Sequence, residues 1–300
     1  MKILTIADFF YPYIVGGSAI MAYELMREMV ERGHEVTVLT RGNGEESDYE
    51  ALEGMDVFRY RFSPNPLSYP LSAFRAVLKV RELIEGRGFD LINMHHASGG
   101  VAAEINNKLS NDIPTAFFFQ GPWHGEAMAK DEQGAADEKL PLKYEMRKKV
   151  DRFILRNCDA VFCLSDYMRG EASAIYPLFA PKFHKISGGV DVERFVPATD
   201  KEGVRRALGL PADAVILLTV RRLAARMGLE NLVRAMEVLG KARKDVVLLI
   251  GGKGELWGKL QDLIDELSLE NTHLLGFIEN DQLPQYYQAS DLFVLPSEAM

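Results

Sequence analysis

The sequence predicts an α/β protein with two parallel-sheet domains, and three observations predict it. Short β-branched and apolar runs alternate with helical patterns, as in parallel sheets covered by helices on both faces. The alternation restarts near residue 214, after a linker rich in Gly, Pro and charge at Pro181–Asp200. The 300 residues also exceed the size at which one hydrophobic core usually stops growing. We therefore predict domains at 1–185 and 186–300.

The composition is that of an ordinary globular protein, with 47% hydrophobic and 26% charged residues. A formal net charge of −8 argues against nucleic acid as a partner. One Lys precedes a short apolar run that ends at Asp8, which predicts a first strand and not a signal peptide. Cys158 and Cys163 are expected to be buried apolar residues, a disulfide or metal site being the weaker alternative. We expect a cytoplasmic protein.

The first domain begins with a β-α-β unit and continues to alternate strands with helices. The predicted strands are Lys2–Ala7, Glu35–Thr40, Val57–Arg61, Leu91–Met94, Thr115–Phe119 and Ala160–Leu164. The predicted helices span about Ser18–Arg32, Leu71–Glu85, Gly100–Leu109, Leu142–Asn157 and Tyr167–Ile175.

The second domain repeats the alternation. Its predicted strands are Ala214–Thr219, Val246–Ile250, His273–Gly276 and Leu292–Leu295. Its predicted helices are Leu229–Leu239, Leu256–Leu267 and Leu283–Ala289.

Gly16 and Gly17 stand between the first strand and the first helix, in the run YPYIVGGSAIMAYEL. They would let a phosphate approach the helix N-terminus, although a plain tight turn explains them equally well. A dinucleotide-binding oxidoreductase fits poorly, because G-x-G-x-x-G is missing and the second strand ends at Arg41 instead of an acid. An arginine there could still meet a 2′-phosphate, so this alternative stays open.

Two further runs, DLINMHHASGG and AFFFQGPWHGE, place polar residues just after strands. The candidates are His95, His96, Gln120 and His124, at the sheet edge where α/β proteins usually bind ligands. For His95 and His96, packing in the core or at the sheet edge is the alternative. For His124, an ordinary loop position is the alternative.

Four later blocks follow in order: ISGGVDVERFVP, LLTVRRLAARMGLENL, GGKGEL and HLLGFIENDQLPQYYQASDLFVLPS. With the earlier runs, they resemble family four of the retaining glycosyltransferases, which have the GT-B fold of two Rossmann-like domains. The resemblance implies transfer of a sugar from a nucleotide-diphosphate sugar to a hydroxyl of a glycan, lipid-linked or small-molecule acceptor. It implies a donor site in residues 186–300 and an acceptor site in 1–185. A sugar-nucleotide epimerase of similar fold and a donor-incompetent binding module are the alternatives.

The resemblance also implies roles for single residues. Arg222, with Gln120 and His124, would be catalytic, and His95 and His96 would lie on the acceptor side. The donor would be bound by Gly16, Gly17, Arg222, Arg226, Gly252, Gly254, Phe277 and Ile278. Two positions depart from the family pattern: Gln120 replaces a histidine, and Met227 replaces the lysine of G-R-L-x-x-x-K-G.

The family carries two donor-binding glutamates after its final L-P-S, and by spacing both would lie beyond residue 300. We therefore expect a C-terminally truncated chain with an incomplete second domain and doubtful activity as it stands. No metal is expected, because no set of His, Cys or carboxylate residues has ligand spacing. The basic helix Leu142–Asn157 follows an acidic loop at Asp131–Lys139. It is either a solvated face or a surface that attracts an anionic partner, which would be lipid headgroups at the inner membrane face or an anionic acceptor.

Overall fold

A computed structural model describes residues 1–12, 16–42, 46–63, 65, 68–110, 113–123 and 142–297 of the chain. The chain divides into two compact units, Met1–Gly188 and Gly189–Met300, which we call unit 1 and unit 2. The division falls within the predicted linker. Each unit contains a sheet flanked by helices, so the predicted α/β class is confirmed.

Unit 1 contains an eight-stranded sheet in the order β3-β4-β2-β1-β5-β6-β7-β8. Every neighbouring pair is parallel except β3 with β4. The strands are β1 Lys2–Ile6, β2 Glu35–Gly42, β3 Tyr49–Leu52, β4 Met55–Arg61, β5 Leu91–Met94, β6 Thr115–Phe119, β7 Ala160–Cys163 and β8 Phe183–Lys185. The helices are α1 Gly17–Glu31, α2 Tyr69–Arg87, α3 Ala97–Ser110, α4 Leu142–Asn157 and α5 Asp166–Ile175.

Helices cover both faces of this sheet, as the apolar strands require. On one face, Ala22 and Met26 of α1 pack against Ile3 and Val38. The other face holds the larger cluster, to which α2, α3, α4 and α5 all contribute. Helix α5 begins where the hydroxyl of Ser165 accepts a hydrogen bond from the Met168 N–H at 3.1 Å.

Two strands of unit 1 do not follow from the sequence pattern. Strand β3 is short, and its pairing depends on tertiary contacts such as that of Tyr49 with Phe58, whose ring centroids lie 5.0 Å apart. Strand β8 lies inside the predicted linker Pro181–Asp200, so the linker begins later than predicted. Buried Phe183 fixes it at the sheet edge, where one apolar residue in three gives little periodic signal.

Unit 2 contains a parallel four-stranded sheet in the order β11-β10-β9-β12. Its strands are β9 Val215–Val220, β10 Val246–Gly251, β11 Thr272–Gly276 and β12 Leu292–Phe293. Its helices are α6 Lys201–Ala207, α7 Leu229–Ala242, α8 Trp257–Glu266 and α9 Leu283–Ala289. Helices α7 and α8 pack on one face through Leu232 and Leu260, and Tyr286 of α9 packs on the other.

Helix α6 was not predicted, because its KEGVRRA sequence has few apolar residues. The Asp200 carboxylate starts it by accepting a hydrogen bond from the Gly203 N–H at 2.8 Å. Strand β12 covers only the first half of the predicted Leu292–Leu295. Cys158 and Cys163 are buried and free, as predicted, and burial raises the pKa of the two thiols to about 12 and about 11.

Candidate functional site

Polar side chains collect at the carboxyl edge of the unit 1 sheet. Arg41 lies near the end of β2, Asp8 follows β1, His96 follows β5 and Gln120 follows β6. These four strands are neighbours in the sheet and run parallel, so their carboxyl ends meet at one edge. We call Asp8, Arg41, His96 and Gln120 the edge cluster.

The buried carboxylate of Asp8 organises the edge cluster. The Asp8 side chain is only 4% exposed, and its Oδ2 lies 2.5 Å from Nη2 of Arg41 and 2.7 Å from Nδ1 of His96. Arg41 also lies over the Phe62 ring, 4.1 Å from its centroid. The pKa of Tyr60 is raised to about 12, mainly by burial and secondly by the negative charge of Asp8. The carboxylate therefore holds both the guanidinium and the imidazole in fixed orientations.

His96 and Gln120 are the predicted site residues that lie at this edge. The His96 side chain is 32% exposed, and its ring meets that of Trp123 edge to face at 5.9 Å. Gln120 is half-buried, and its Nε2 is buried without a hydrogen-bond partner among the described residues. An amide donor without a partner, at the same sheet edge as an oriented imidazole, can bind a hydroxyl of a ligand.

His95 lies in the core, stacked on Phe118 with ring centroids 4.5 Å apart, and Asn93 is its side-chain partner at 3.0 Å. Burial lowers its pKa to about 3, so the imidazole is neutral. His124 lies outside the described residues. In the basic helix α4, Arg147 lies over the Trp123 ring at 5.1 Å.

The sequence analysis did not identify Asp8 as a site residue, and it considered Arg41 only as a ligand for a 2′-phosphate. In the structure, Arg41 is paired with Asp8. A signal was available, because each residue lies within two positions of the end of a buried strand of the same β-α-β unit. Their mutual contact was not predictable from spacing alone.

In unit 2, three arginines lie at or just beyond the carboxyl end of β9: Arg221, Arg222 and Arg226, which we call the arginine cluster. Arg222 was the leading candidate. Its side chain is 50% exposed, and its Nη2 lies 3.5 Å from Oε2 of Glu255. Arg226 belongs to a 3₁₀ turn, Ala225–Met227, that leads into α7.

Arg221, which the sequence analysis passed over, lies deeper than Arg222. Its Nη2 donates to Ser297 Oγ at 2.9 Å, and burial, with repulsion from Arg226, lowers its pKa. Strand periodicity could have found it, because every second residue of β9 faces the same side of the sheet. Leu217 packs in the cluster that contains α7, so Arg221, four residues later, continues toward that helix.

Gly252 and Gly254 allow close backbone packing beside the arginine cluster. A Cβ on Gly252 would lie 1.9 Å from the Arg221 carbonyl oxygen, and one on Gly254 would lie 2.2 Å from that of Leu223. Gly252 also has φ of +132°, which disfavours any side chain. These glycines therefore bring the loop after β10 against the loop after β9.

Replacing Gly252 with Ala should lower the free energy of unfolding of unit 2 by about 2 kcal/mol, because the residue would be strained and displace the Arg221 carbonyl. Urea unfolding followed by Trp257 fluorescence in a Trp123→Phe background measures this. Gly258→Ala is the matched control: it lies in α8, and a Cβ there meets nothing within 4 Å. Equal stability of the two variants would refute the packing role.

Phe277 and Ile278, predicted near the donor, follow β11 and differ in exposure. Phe277 is 56% exposed, with Lys253 Nζ 5.5 Å from its ring centroid, whereas Ile278 is 8% exposed and packs on Gly251. A depression of about 310 Å³ lies beside them, lined by Lys253, Gly254, Trp257 and Gly276.

In unit 1, the predicted Gly16 precedes α1 with φ of +87°, and a Cβ added at Gly16 or Gly17 would meet no described residue within 4 Å. A phosphate could approach the backbone there. No helix among the described residues has the length and apolar character needed to cross a membrane.

Comparison with known proteins gives matches over most of the chain. Residues 15–194 match the model of Glycosyltransferase Family 4, and residues 200–299 match that of Glycosyl transferases group 1. An uncharacterized glycosyltransferase from Methanocaldococcus jannaschii is 27% identical over 304 residues, which cover 99% of this chain and 75% of the relative.

Two solved structures have a similar fold. Sucrose-phosphate synthase from Thermosynechococcus elongatus has a TM-score of 0.77 at 23% identity, covering 99% of this chain and 75% of that one. Anabaena HepE, solved in complex with UDP-glucose, has a TM-score of 0.68 at 18% identity, covering 98% of this chain and 73% of that one. The predicted fold of two Rossmann-like domains is thereby confirmed.

Proposed function

Because the chain belongs to Glycosyltransferase Family 4 and has the GT-B fold, we propose that it transfers a sugar from a nucleoside-diphosphate sugar to a hydroxyl acceptor with retention of configuration. The family membership makes the chain a glycosyltransferase. The proposal concerns the donor class, the stereochemistry and the residues that take part.

The arginine cluster carries the donor part of the proposal. The chain as a whole is acidic, yet three arginines gather at the end of β9, directly before the N-terminus of α7. A nucleoside diphosphate leaves with negative charge on its β-phosphate, and fixed cations together with a helix N-terminus stabilise that charge. The UDP-glucose bound to the structural neighbour from Anabaena belongs to this chemical class.

In the proposed reaction, the bond between the anomeric carbon and the β-phosphate oxygen breaks. A bond from the acceptor oxygen to the same carbon forms on the same face. The acceptor proton passes to an oxygen of the departing diphosphate, so no separate protein base is required. Arg222 and Arg226 stabilise the diphosphate as it leaves.

The edge cluster is the proposed acceptor side. Asp8 fixes the His96 ring at 2.7 Å, and Gln120 presents an amide nitrogen that is unused among the described residues. Imidazole and amide groups hydrogen-bond sugar hydroxyls, and Gln120 does so at every pH because it does not titrate. The acceptor class is a polyol or sugar hydroxyl.

The test is incubation of the purified protein with UDP-, GDP- and ADP-linked sugars and a panel of sugar, polyol and lipid-linked acceptors. Mass spectrometry should show one acceptor gaining one sugar residue, and the anomeric coupling in the NMR spectrum should match that of the donor. A product of inverted configuration would refute retention. Appearance of an isomeric nucleotide sugar without transfer would favour the epimerase alternative. Adding EDTA to the same assay tests the predicted independence from metal.

A further inference from the structure

Arg221 is a guanidinium without a carboxylate partner in the described part of unit 2. Its Nη2 contacts Ser297 Oγ at 2.9 Å and the sulfur of Met227 at 2.7 Å, and both are neutral groups. Its Nε and Nη1 are buried, and neither has a hydrogen-bond partner among the described residues. Two nitrogens of a charged group are therefore out of water without an acceptor.

Such an arrangement opposes folding. A buried donor without an acceptor loses its hydrogen bonds to water, and a buried charge without a counter-ion loses its hydration. Arg226 adds repulsion, since its charge acts with burial to lower the pKa of Arg221. Rare uncompensated groups of this kind in a folded protein call for a ligand or another functional explanation.

The position of the guanidinium identifies the type of ligand. Contact with Met227 places the Arg221 guanidinium near the N-terminus of α7, because Met227 directly precedes Gly228, the N-cap of that helix. Helix α7 has 14 residues and no side-chain cap hydrogen bond. The positive dipole end of this helix and the Arg221 nitrogens beside it both favour an anion rich in oxygen acceptors, such as phosphate.

We propose that Arg221 is the principal diphosphate-binding cation of unit 2, ahead of Arg222. This inference rests on the proposed function. It makes Arg221, and not Arg222, the residue that supplies the main positive charge to the diphosphate. Arg222 is half exposed and already faces Glu255, so an incoming anion gains less from it. Arg221 is partly desolvated and is held in place by three neighbours. Its backbone N–H donates to the Gly251 carbonyl oxygen, and its side chain contacts Met227 and Ser297.

The inference also explains Met227. A lysine was expected at this position, and the Met227 sulfur instead lies against the Arg221 guanidinium. The positive charge beside position 227 is therefore supplied by Arg221, at the end of β9, and not by a lysine in the turn before α7. A lysine at 227 in addition to Arg221 would place two cations in contact.

Isothermal titration of the full chain with inorganic pyrophosphate tests the inference at fixed ionic strength. Arg221→Met should weaken binding roughly 10- to 100-fold, the range for loss of charged hydrogen bonds. The same variant should melt at a higher temperature than the parent without ligand, because an uncompensated charge is removed. Arg234→Ala, which removes one exposed arginine from α7, is the control and should leave both quantities unchanged.

A second variant tests the position of the charge. Arg221→Met combined with Met227→Lys should recover most of the lost pyrophosphate affinity. A lower melting temperature for Arg221→Met, with unchanged affinity, would show a structural role and overturn the inference. Failure of the parent to bind pyrophosphate while sugar transfer proceeds would also overturn it, and would leave the proposed function intact. Binding that depends on Arg221 without any sugar transfer would instead refute only the proposed function.

Discussion

Replacing Arg205 with Met should lower the free energy of unfolding of unit 2 by about 1–3 kcal/mol, the range for leaving buried hydrogen-bond acceptors without a donor. Arg205 is 5% exposed and joins α6 to the sheet. Its guanidinium donates to the carbonyl oxygens of Ala289, Ala212 and Ala214 at 2.9, 2.6 and 3.0 Å, and to Asp291 Oδ2 at 2.6 Å. Methionine fills a similar volume but satisfies none of these acceptors.

The measurement is urea unfolding followed by Trp257 fluorescence in a Trp123→Phe background. Arg206→Met is the control, because Arg206 is the next residue in α6 and is exposed. It should change stability by less than about 0.5 kcal/mol, as expected for a surface substitution. Equal effects of the two substitutions would show that the buried hydrogen bonds of Arg205 contribute nothing.

The effect of Arg205→Met should also depend on pH. Burial opposes ionisation of Asp291, but hydrogen bonds from Lys201 and the Ile216 N–H, with the charge of Arg205, hold its pKa below the usual range. A carboxylate whose pKa is lowered in the folded state stabilises that state at pH values above its pKa in the unfolded chain, which is about 3.9. This stabilisation is lost as the pH falls through the pKa of the folded state. The difference between parent and variant should therefore shrink below pH of about 4.

The fold class followed from the sequence because apolar periodicity is a local property. Strands such as Leu91–Met94 and Thr115–Phe119 have the predicted bounds in the structure. Strand β3 and helix α6 could not be found this way. The first depends on pairing with β4, and the second depends on the Asp200 cap and on Arg205.

The candidate sites were predicted less completely than the fold. Motif order placed an arginine cluster at the end of β9, but it could not tell which neighbour points toward α7. That depends on the pleat of the strand, which gave Arg221 the partly buried position and Arg222 the exposed one. In unit 1, Asp8 and Arg41 are 33 positions apart, and their contact exists only because β1 and β2 pair in parallel.

Replacing Asp8 with Asn should lower the free energy of unfolding of unit 1 by about 3–5 kcal/mol, because Asn keeps the shape but removes the charge that faces Arg41 in a buried site. The Arg41 side chain is 14% exposed, so water cannot fully replace the carboxylate. Urea unfolding followed by Trp123 fluorescence in a Trp257→Phe background measures the change. Sugar transfer should fall as well, since His96 loses the carboxylate that orients its ring.

Two further variants separate charge pairing from a general loss of structure. Asp48→Asn removes the same charge from an exposed position of unit 1 and should be nearly neutral. Asp8→Asn combined with Arg41→Gln should cost less than the sum of the two single changes, because neither charge is then left without the other. Strict additivity, or an Asp8→Asn effect no larger than that of Asp48→Asn, would show that Asp8 does not hold the edge cluster together. Loss of transfer with unchanged stability would place the role of Asp8 in orienting His96 alone.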